Sequence, residues 1–311
     1  MPENPLPVST RSQSVGGGDP ANISELKPSL IGCVFFSLLP VRRRTVMENM
    51  HQVFGDRLST AEQRRLARCF YGHVARTIKE NLLMMLSSER RIASRVDVIG
   101  VELVLSAAEL GRGVLILTGH FGNWELSAVG AMLQFKQYQN RFHVIRKGLG
   151  LGLERMVFGR FHRAGLRVIR REDALTKTLD VLERNDVVIF IMDQHNKVGA
   201  KAVSAEFFGK EAGTHRSLAL VARQSGAPVI PAVSYRTPGG RHIMQFHPPL
   251  KWIAAEHHRE EIYLNTLGYN RVLERFVLDH PEQWFWMHRR WKIEQDSPSK
   301  RRLRELTMGR R

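Results

Sequence analysis

The apolar positions of this chain change rhythm several times along its length. Residues 1–25 are rich in Pro, Ser, Gly and Asn, include Gly16-Gly17-Gly18 and carry no apolar periodicity, so a disordered tail is predicted there. From Pro28 to Pro40 the chain runs 13 residues without a charge and then meets Arg42-Arg43-Arg44. That run is shorter than the ~20 residues a helix needs to cross a bilayer. Residues 26–45 are therefore predicted to be a short membrane-contact segment, shallow or interfacial, with the arginines among anionic headgroups. A buried core helix is the competing reading, and a cleavable signal peptide is disfavoured because the cations follow the apolar run.

Beyond this segment, Ser59 or Thr60 is placed to cap a helix, with Glu62 and Gln63 at capping-box spacing. Apolar residues then recur at Leu66, Phe70, Val74, Ile78, Leu82 and Leu86, a helical spacing, opposite a polar side bearing Arg64, Arg65, Arg68, Arg76 and Lys79. After residue 100 short apolar runs alternate with helical stretches. Residues 114–118, 142–146, 187–192 and 229–233 are predicted as strands, and 124–135, 151–164, 172–184 and 214–225 as helices. The predicted class is α/β, a mixed, largely parallel sheet covered by helices, with ligands at the carboxyl ends of the strands. One domain over 46–295 and a basic tail over 296–311 complete the expected organisation, without internal repeats.

Charge adds a partner class but not its identity. The 47 Lys and Arg against 30 Asp and Glu give +17, which suits an anionic bilayer, a phosphorylated lipid, an acidic protein or nucleic acid. No zinc-ligand spacing or RNA-binding aromatic signature appears, so nucleic acid is not expected as a partner. Cys33 and Cys69, the only cysteines, suggest neither a disulfide framework nor a metal site. From Trp284 to Arg311 there are nine Lys or Arg against three Asp or Glu. This segment reads as too polar for core, and its Trp284, Trp286 and Trp291 either sit at a bilayer interface or pack on the domain.

Candidate chemistry centres on Gly119-His120-Phe121-Gly122-Asn123-Trp124-Glu125. His120 follows a predicted strand, two glycines let the backbone turn and a substrate approach, and Glu125 falls in the first turn of the next helix. A carboxylate on one imidazole nitrogen would leave the other free to take a proton. A bare His and Glu at this spacing equally fits a loop histidine and a helix-favouring acid.

The seven-residue context resembles the His-x4-Asp/Glu signature of glycerolipid-type acyltransferases, in the form found in the bacterial lipid A biosynthesis acyltransferase family. The resemblance extends through Val144-Ile145-Arg146, Met192-Asp193-Gln194, Phe207-Phe208-Gly209, Ala227 to Pro231 and Pro281 to Arg290, over roughly residues 38–292. It implies a glycerolipid acyltransferase-like fold with N-terminal membrane-associated helices. It also implies transfer of a fatty acyl group from acyl carrier protein or acyl-CoA to a hydroxyl of an anionic glycolipid, at the cytoplasmic face of a bacterial inner membrane. A lipid A precursor is the first acceptor; a mannosylated phosphoinositide, an ornithine lipid or a lysophospholipid is the alternative.

By the same resemblance His120 is the base, Glu125 orients it, and Arg146 faces the charge that develops on the thioester oxygen. Asn123, Trp124, Asp193, Gln194 and Phe208 are assigned to substrate binding, Phe208 through an acyl groove, although paired aromatics near a sheet edge are more often core. Where relatives carry Pro and Asn-Pro after this arginine, the chain has Lys147-Gly148-Leu149-Gly150-Leu151-Gly152. Those glycines do not match a dinucleotide fingerprint, and neither cofactor nor metal is expected. No Gly-x-Ser-x-Gly elbow supports a serine esterase.

Overall fold

A computed structural model of the chain describes residues 23, 25–38, 41–55, 57–146, 159–170, 174–199 and 201–292. Nearly all of the expected N-terminal tail, the Lys147–Gly152 loop and the tail at 296–311 lie outside the described residues.

Among the described residues the chain begins with the helices α1 (Leu30–Leu38), α2 (Arg43–Phe54) and α3 (Thr60–Leu86). Ser59 caps α3, accepting from the backbone of Glu62 while the Glu62 carboxylate accepts from the backbone of Ser59, so two otherwise orphaned N–H groups are satisfied. The apolar stripe of α3 does not stay on one face. Residues four apart advance by roughly 40° per step around a helix of 3.6 residues per turn, so a stripe of fours winds off the core. Leu66 and Phe70 are buried, whereas Ile78, Leu82 and Leu86 are 52, 61 and 87% exposed.

A short helix α4 (Glu89–Ala93) leads to β1 (Val96–Ile99), α5 (Val101–Ala108), β2 (Val114–Thr118) and α6 (Trp124–Gln134). Then follow β3 (Phe142–Arg146), β4 (Leu166–Arg170), α7 (Ala174–Glu183), β5 (Val187–Ile191), the hairpin β6 (Ala202–Phe207) and β7 (Lys210–His215), and α8 (Ser217–Ser225). The chain closes with β8 (Val229–Arg236), β9 (His242–Phe246) and α9 (His258–Asp279). The main sheet has the order β1-β9-β8-β2-β5-β3-β4, and every neighbouring pair is parallel except β8 with β9. This is the mixed, largely parallel α/β architecture that the alternation predicted. β2, at the centre, is covered on both faces: Leu115 and Leu117 belong to one apolar cluster and Ile116 to another, which is why its sequence is continuously apolar.

No helix among the described residues is long and apolar enough to cross a membrane, in keeping with the shortness of the apolar run, and α1, nine residues long, packs along α3 with the Gly32 and Gly72 backbones in close approach. One expectation is corrected. The segment from Trp284 is not excluded from the core. Trp284, Trp286 and Arg290 are fully buried, and Arg290 donates to the Gly213 carbonyl, the Thr214 hydroxyl and the Asn270 side chain. Both Nη atoms are answered in this way, and Nε is left without a hydrogen-bond partner. The guanidinium also lies over the Phe207 ring, 4.7 Å from its centroid, so the buried charge is met by acceptors and by an aromatic face. With two of the three tryptophans inside the domain, a bilayer-interface role for that cluster does not hold.

Candidate active site

The site stands at the carboxyl ends of three neighbouring parallel strands. β2 and β5 pair in register with Thr118 opposite Ile191, so the residues that follow, His120 and Asp193, emerge side by side. Arg146 ends β3, the next strand over. Gly119 permits the close approach, since a Cβ there would lie 3.1 Å from Cβ of Asp193. Gly122, at φ 58°, turns the chain against the backbone of Ser234, where a Cβ would come within 2.6 Å of a carbonyl oxygen.

Asp193, not Glu125, holds the histidine. Its Oδ1 lies 2.8 Å from Nδ1 of His120, and its Oδ2 accepts from the His120 backbone N–H at 3.0 Å and from the Trp284 indole at 2.8 Å. Burial opposes ionisation of this carboxyl, yet the adjacent imidazole and these donors outweigh it and hold Asp193 well below the usual carboxylate range. A carboxylate can only accept, so Nδ1 carries the proton and Nε2 presents its lone pair. Gln194 places its amide nitrogen 3.3 and 3.4 Å from the two ring nitrogens. The Trp124 ring stands edge-on to the imidazole with centroids 4.9 Å apart, and its indole N–H is buried without an acceptor.

Glu125 serves a different pair. Its Oε2 accepts from the Asn81 amide at 2.5 Å, and its Oε1 lies 3.7 Å from Nη2 of Arg146. The Arg146 guanidinium also lies over the Phe161 ring, 5.4 Å from its centroid. Asn123 is buried and structural in its bonds: its carbonyl caps α6 at Leu126 and its amide donates to Glu80. Phe208 is not at the site. It sits in the β6–β7 turn at φ 51°, packed on Phe207 and Trp291, with its N–H donating to Glu274 at 2.6 Å. The acyl-groove assignment of Phe208 is thereby corrected, because a hairpin turn carries it into the core.

The apolar cavity lies elsewhere, between one face of the sheet and α6. Ile116, Thr118, Phe142, Val144, Arg146, Ile189 and Ile191 alternate along their strands and so share that face, while Trp124, Ala128 and Ala131 close it from the helix. The space measures about 100 Å³ and reaches Thr118, Gly119 and Arg146 at its polar end.

Sequence reasoning missed a buried polar network under the motif. Glu80 accepts from Arg236 through Nε and Nη2 and from Asn123, with His242 at 3.4 Å. Burial opposes its ionisation, but hydrogen bonds from His242, Arg236 and Asn123 prevail and hold its carboxyl far below the ordinary range. His73 bonds Arg236 through one nitrogen and the Gly122 carbonyl through the other. Burial, then the Arg236 charge, press its pKa down to about 3. The apolar spacing of α3 gave no signal of this network, because Glu80 falls between Ile78 and Leu82 of the stripe, where a polar residue is expected.

Comparison with known proteins bears on the family of the chain. The family model described as bacterial lipid A biosynthesis acyltransferase matches residues 21–293. The chain is 25% identical to the lipid A biosynthesis lauroyltransferase of Escherichia coli (strain K12), over 84% of this chain and 83% of that protein. It is 22% identical to the lipid A biosynthesis palmitoleoyltransferase of the same organism and to a lipid A biosynthesis acyltransferase of Shigella flexneri, over 84% of this chain and 82% of each.

Proposed function

The chain belongs to the bacterial lipid A biosynthesis acyltransferase family, and on that premise we propose that it moves a fatty acyl group from acyl carrier protein or acyl-CoA to a hydroxyl of a lipid A precursor, with His120 as general base. The observation that carries this reading is the His120–Asp193 pair beside an apolar cavity whose wall includes Gly119, the residue before His120, together with Trp124 and Arg146. Nε2 takes the proton from the acceptor hydroxyl as its oxygen attacks the thioester carbonyl. The tetrahedral intermediate then expels the thiolate, which recovers that proton from the imidazolium. Asp193 keeps the tautomer and stabilises the imidazolium.

The carbonyl oxygen becomes negative during attack and needs donors. Arg146 supplies one, fixed by Glu125. The Trp124 indole supplies a second: a buried N–H without an acceptor costs about 1–3 kcal/mol, a penalty that an arriving substrate oxygen removes. The acyl chain occupies the cavity between the sheet and α6, where nearly every wall atom is apolar.

The proposed place of work is the cytoplasmic face of a bacterial inner membrane. Leu30, Ile31, Val34 and Leu38 of α1 and Ile78, Leu82, Leu83, Met85 and Leu86 of α3 are exposed, an unusual density of large apolar side chains facing outward on two packed helices. The test is transfer of labelled acyl groups from acyl carrier protein and from acyl-CoA to a panel of acceptors by wild type and His120→Ala. Transfer to a lipid A precursor, lost in the variant, is expected. Transfer only to a mannosylated phosphoinositide, ornithine lipid or lysophospholipid would reassign the acceptor, and an active His120→Ala enzyme would defeat the mechanism.

A further inference from the structure

Next to the His120–Asp193 pair opens a second cleft of about 450 Å³, walled by Arg42, His195, His288, Arg289 and Lys292. It carries no carboxylate in its wall, and among the described residues neither Arg289 nor Lys292 is paired with one. The cleft is tied to the reacting groups at short range. His195 lies two residues beyond Asp193, a separation of at most ~7 Å along the chain. The segment that supplies His288 and Arg289 also sends the Phe285 N–H to the His120 carbonyl at 3.0 Å and the Trp284 indole to Asp193.

Each wall residue is presented by the fold. Arg42 follows α1, takes a left-handed conformation at φ 55° and donates to the Met287 carbonyl at 3.1 Å, joining the apolar helix to the 284–292 segment. The His195 backbone N–H donates to Nδ1 of His288 at 3.4 Å, so Nε2 of His288 carries the hydrogen. Burial pushes His288 down to about 4, against the pull of Asp193, leaving a neutral N–H donor near neutral pH. Arg290 is turned into the core while Arg289 beside it is exposed, so the two neighbours divide between structure and cleft.

We propose that this cleft is a subsite for a phosphate group of a substrate, its oxygens met by Arg289, Lys292 and Arg42 with His288 as a neutral donor. This rests on the acyltransferase reading and deepens it. A fork of guanidinium donors and an ammonium suit the anionic oxygens of a phosphate, and its nearness to His120 suits a group carried on the same molecule as the reacting atom. Two sources share the chemistry: a phosphorylated sugar of the acceptor, and the phosphopantetheine arm of the donor.

Calorimetric titration with inorganic pyrophosphate tests the cleft directly, on wild type, on Arg289→Ala/Lys292→Ala and on Arg112→Ala/Lys251→Ala, whose exposed cations lie by the amino ends of β2 and β8, whereas His120 and Asp193 follow the carboxyl ends of β2 and β5. Wild type and the distal pair are expected to bind alike and the cleft pair roughly tenfold or more weakly. No binding by wild type, equal binding by the cleft pair, or equal loss in the distal pair overturns the proposal. Kinetics then identify the source. Removing phosphate from the acceptor, or replacing an acyl-phosphopantetheine donor by acyl-pantetheine, should raise KM about tenfold in wild type for the one substrate that uses the cleft, and leave KM of the cleft variant unchanged. If neither removal alters KM in wild type the subsite is wrong, even with transfer intact. Absence of transfer to every acceptor defeats the function itself, and pyrophosphate binding still decides the cleft.

Discussion

Nδ1 of His120 lies 2.8 Å from Oδ1 of Asp193, a residue 73 positions later in the chain and on the neighbouring strand end. An amide in place of that carboxylate can turn its NH2 toward Nδ1, favouring the tautomer with the proton on Nε2, where the base must be free. Asp193→Asn is expected to lower kcat roughly 1,000-fold, with KM within a few-fold and the fold retained by circular dichroism. Activity within threefold of wild type would show that the carboxylate does not set the tautomer.

Glu125 touches Arg146 and Asn81, so its effect on catalysis should run through the guanidinium. Glu125→Ala and Arg146→Ala are each expected to lower turnover by orders of magnitude, and the double variant to be little worse than either single one. In a double-mutant cycle on kcat/KM the coupling should reach about 1–3 kcal/mol. Additive losses would separate the two residues.

The Glu80 network holds Gly122 and Asn123 from beneath, through His73 and directly. Truncating Glu80 leaves the buried Arg236 without its counter-charge. Glu80→Ala should cost about 3–5 kcal/mol in a urea unfolding titration. A loss under about 1 kcal/mol would mean that water enters to solvate the guanidinium.

His280 stacks on Tyr235 at 4.0 Å, and burial alone pushes its pKa down to about 4. Between that value and the ~6.5 of an unfolded histidine, the unfolded chain binds the extra proton, so stability falls as pH is lowered through this window. Relative to His280→Phe, wild type should lose about 1 kcal/mol between pH 7 and pH 5, because His280 is not fully buried. Parallel pH profiles of unfolding free energy for the two proteins would remove this histidine from the acid response.

Ala128 faces the cavity from α6, where a larger side chain fills space that the proposed acyl chain occupies. Ala128→Phe is expected to shift donor preference toward shorter chains, read as kcat/KM across a series of acyl-chain lengths, with thermal stability little changed. An unaltered length profile would place the acyl chain elsewhere.

Much of this protein was legible locally. The central strands were readable because residues buried on both faces are continuously apolar, and α3 because its cap lies within four residues of sequence. The edge strands β1 and β4, four and five residues long, escaped because short segments beside one neighbour carry little apolar signal. The motif placed His120 and Glu125 near each other, and proximity along the chain made Glu125 the natural partner. The end of α1 and the Trp284 segment were harder to read, since the cations there gave no hint that Arg290 is core and Arg289 is not.

The sequence by itself determined the elements, the α/β class and the histidine at a strand end, because these depend on periodicity and on bonds between residues a few positions apart. Only the tertiary structure decided which carboxylate meets the imidazole and where an acyl chain fits. Parallel register between β2 and β5 sets Asp193 beside His120, while the first turn of α6 carries Glu125 toward Asn81 and Arg146. Such pairings join residues far apart in the chain, and no local propensity encodes them.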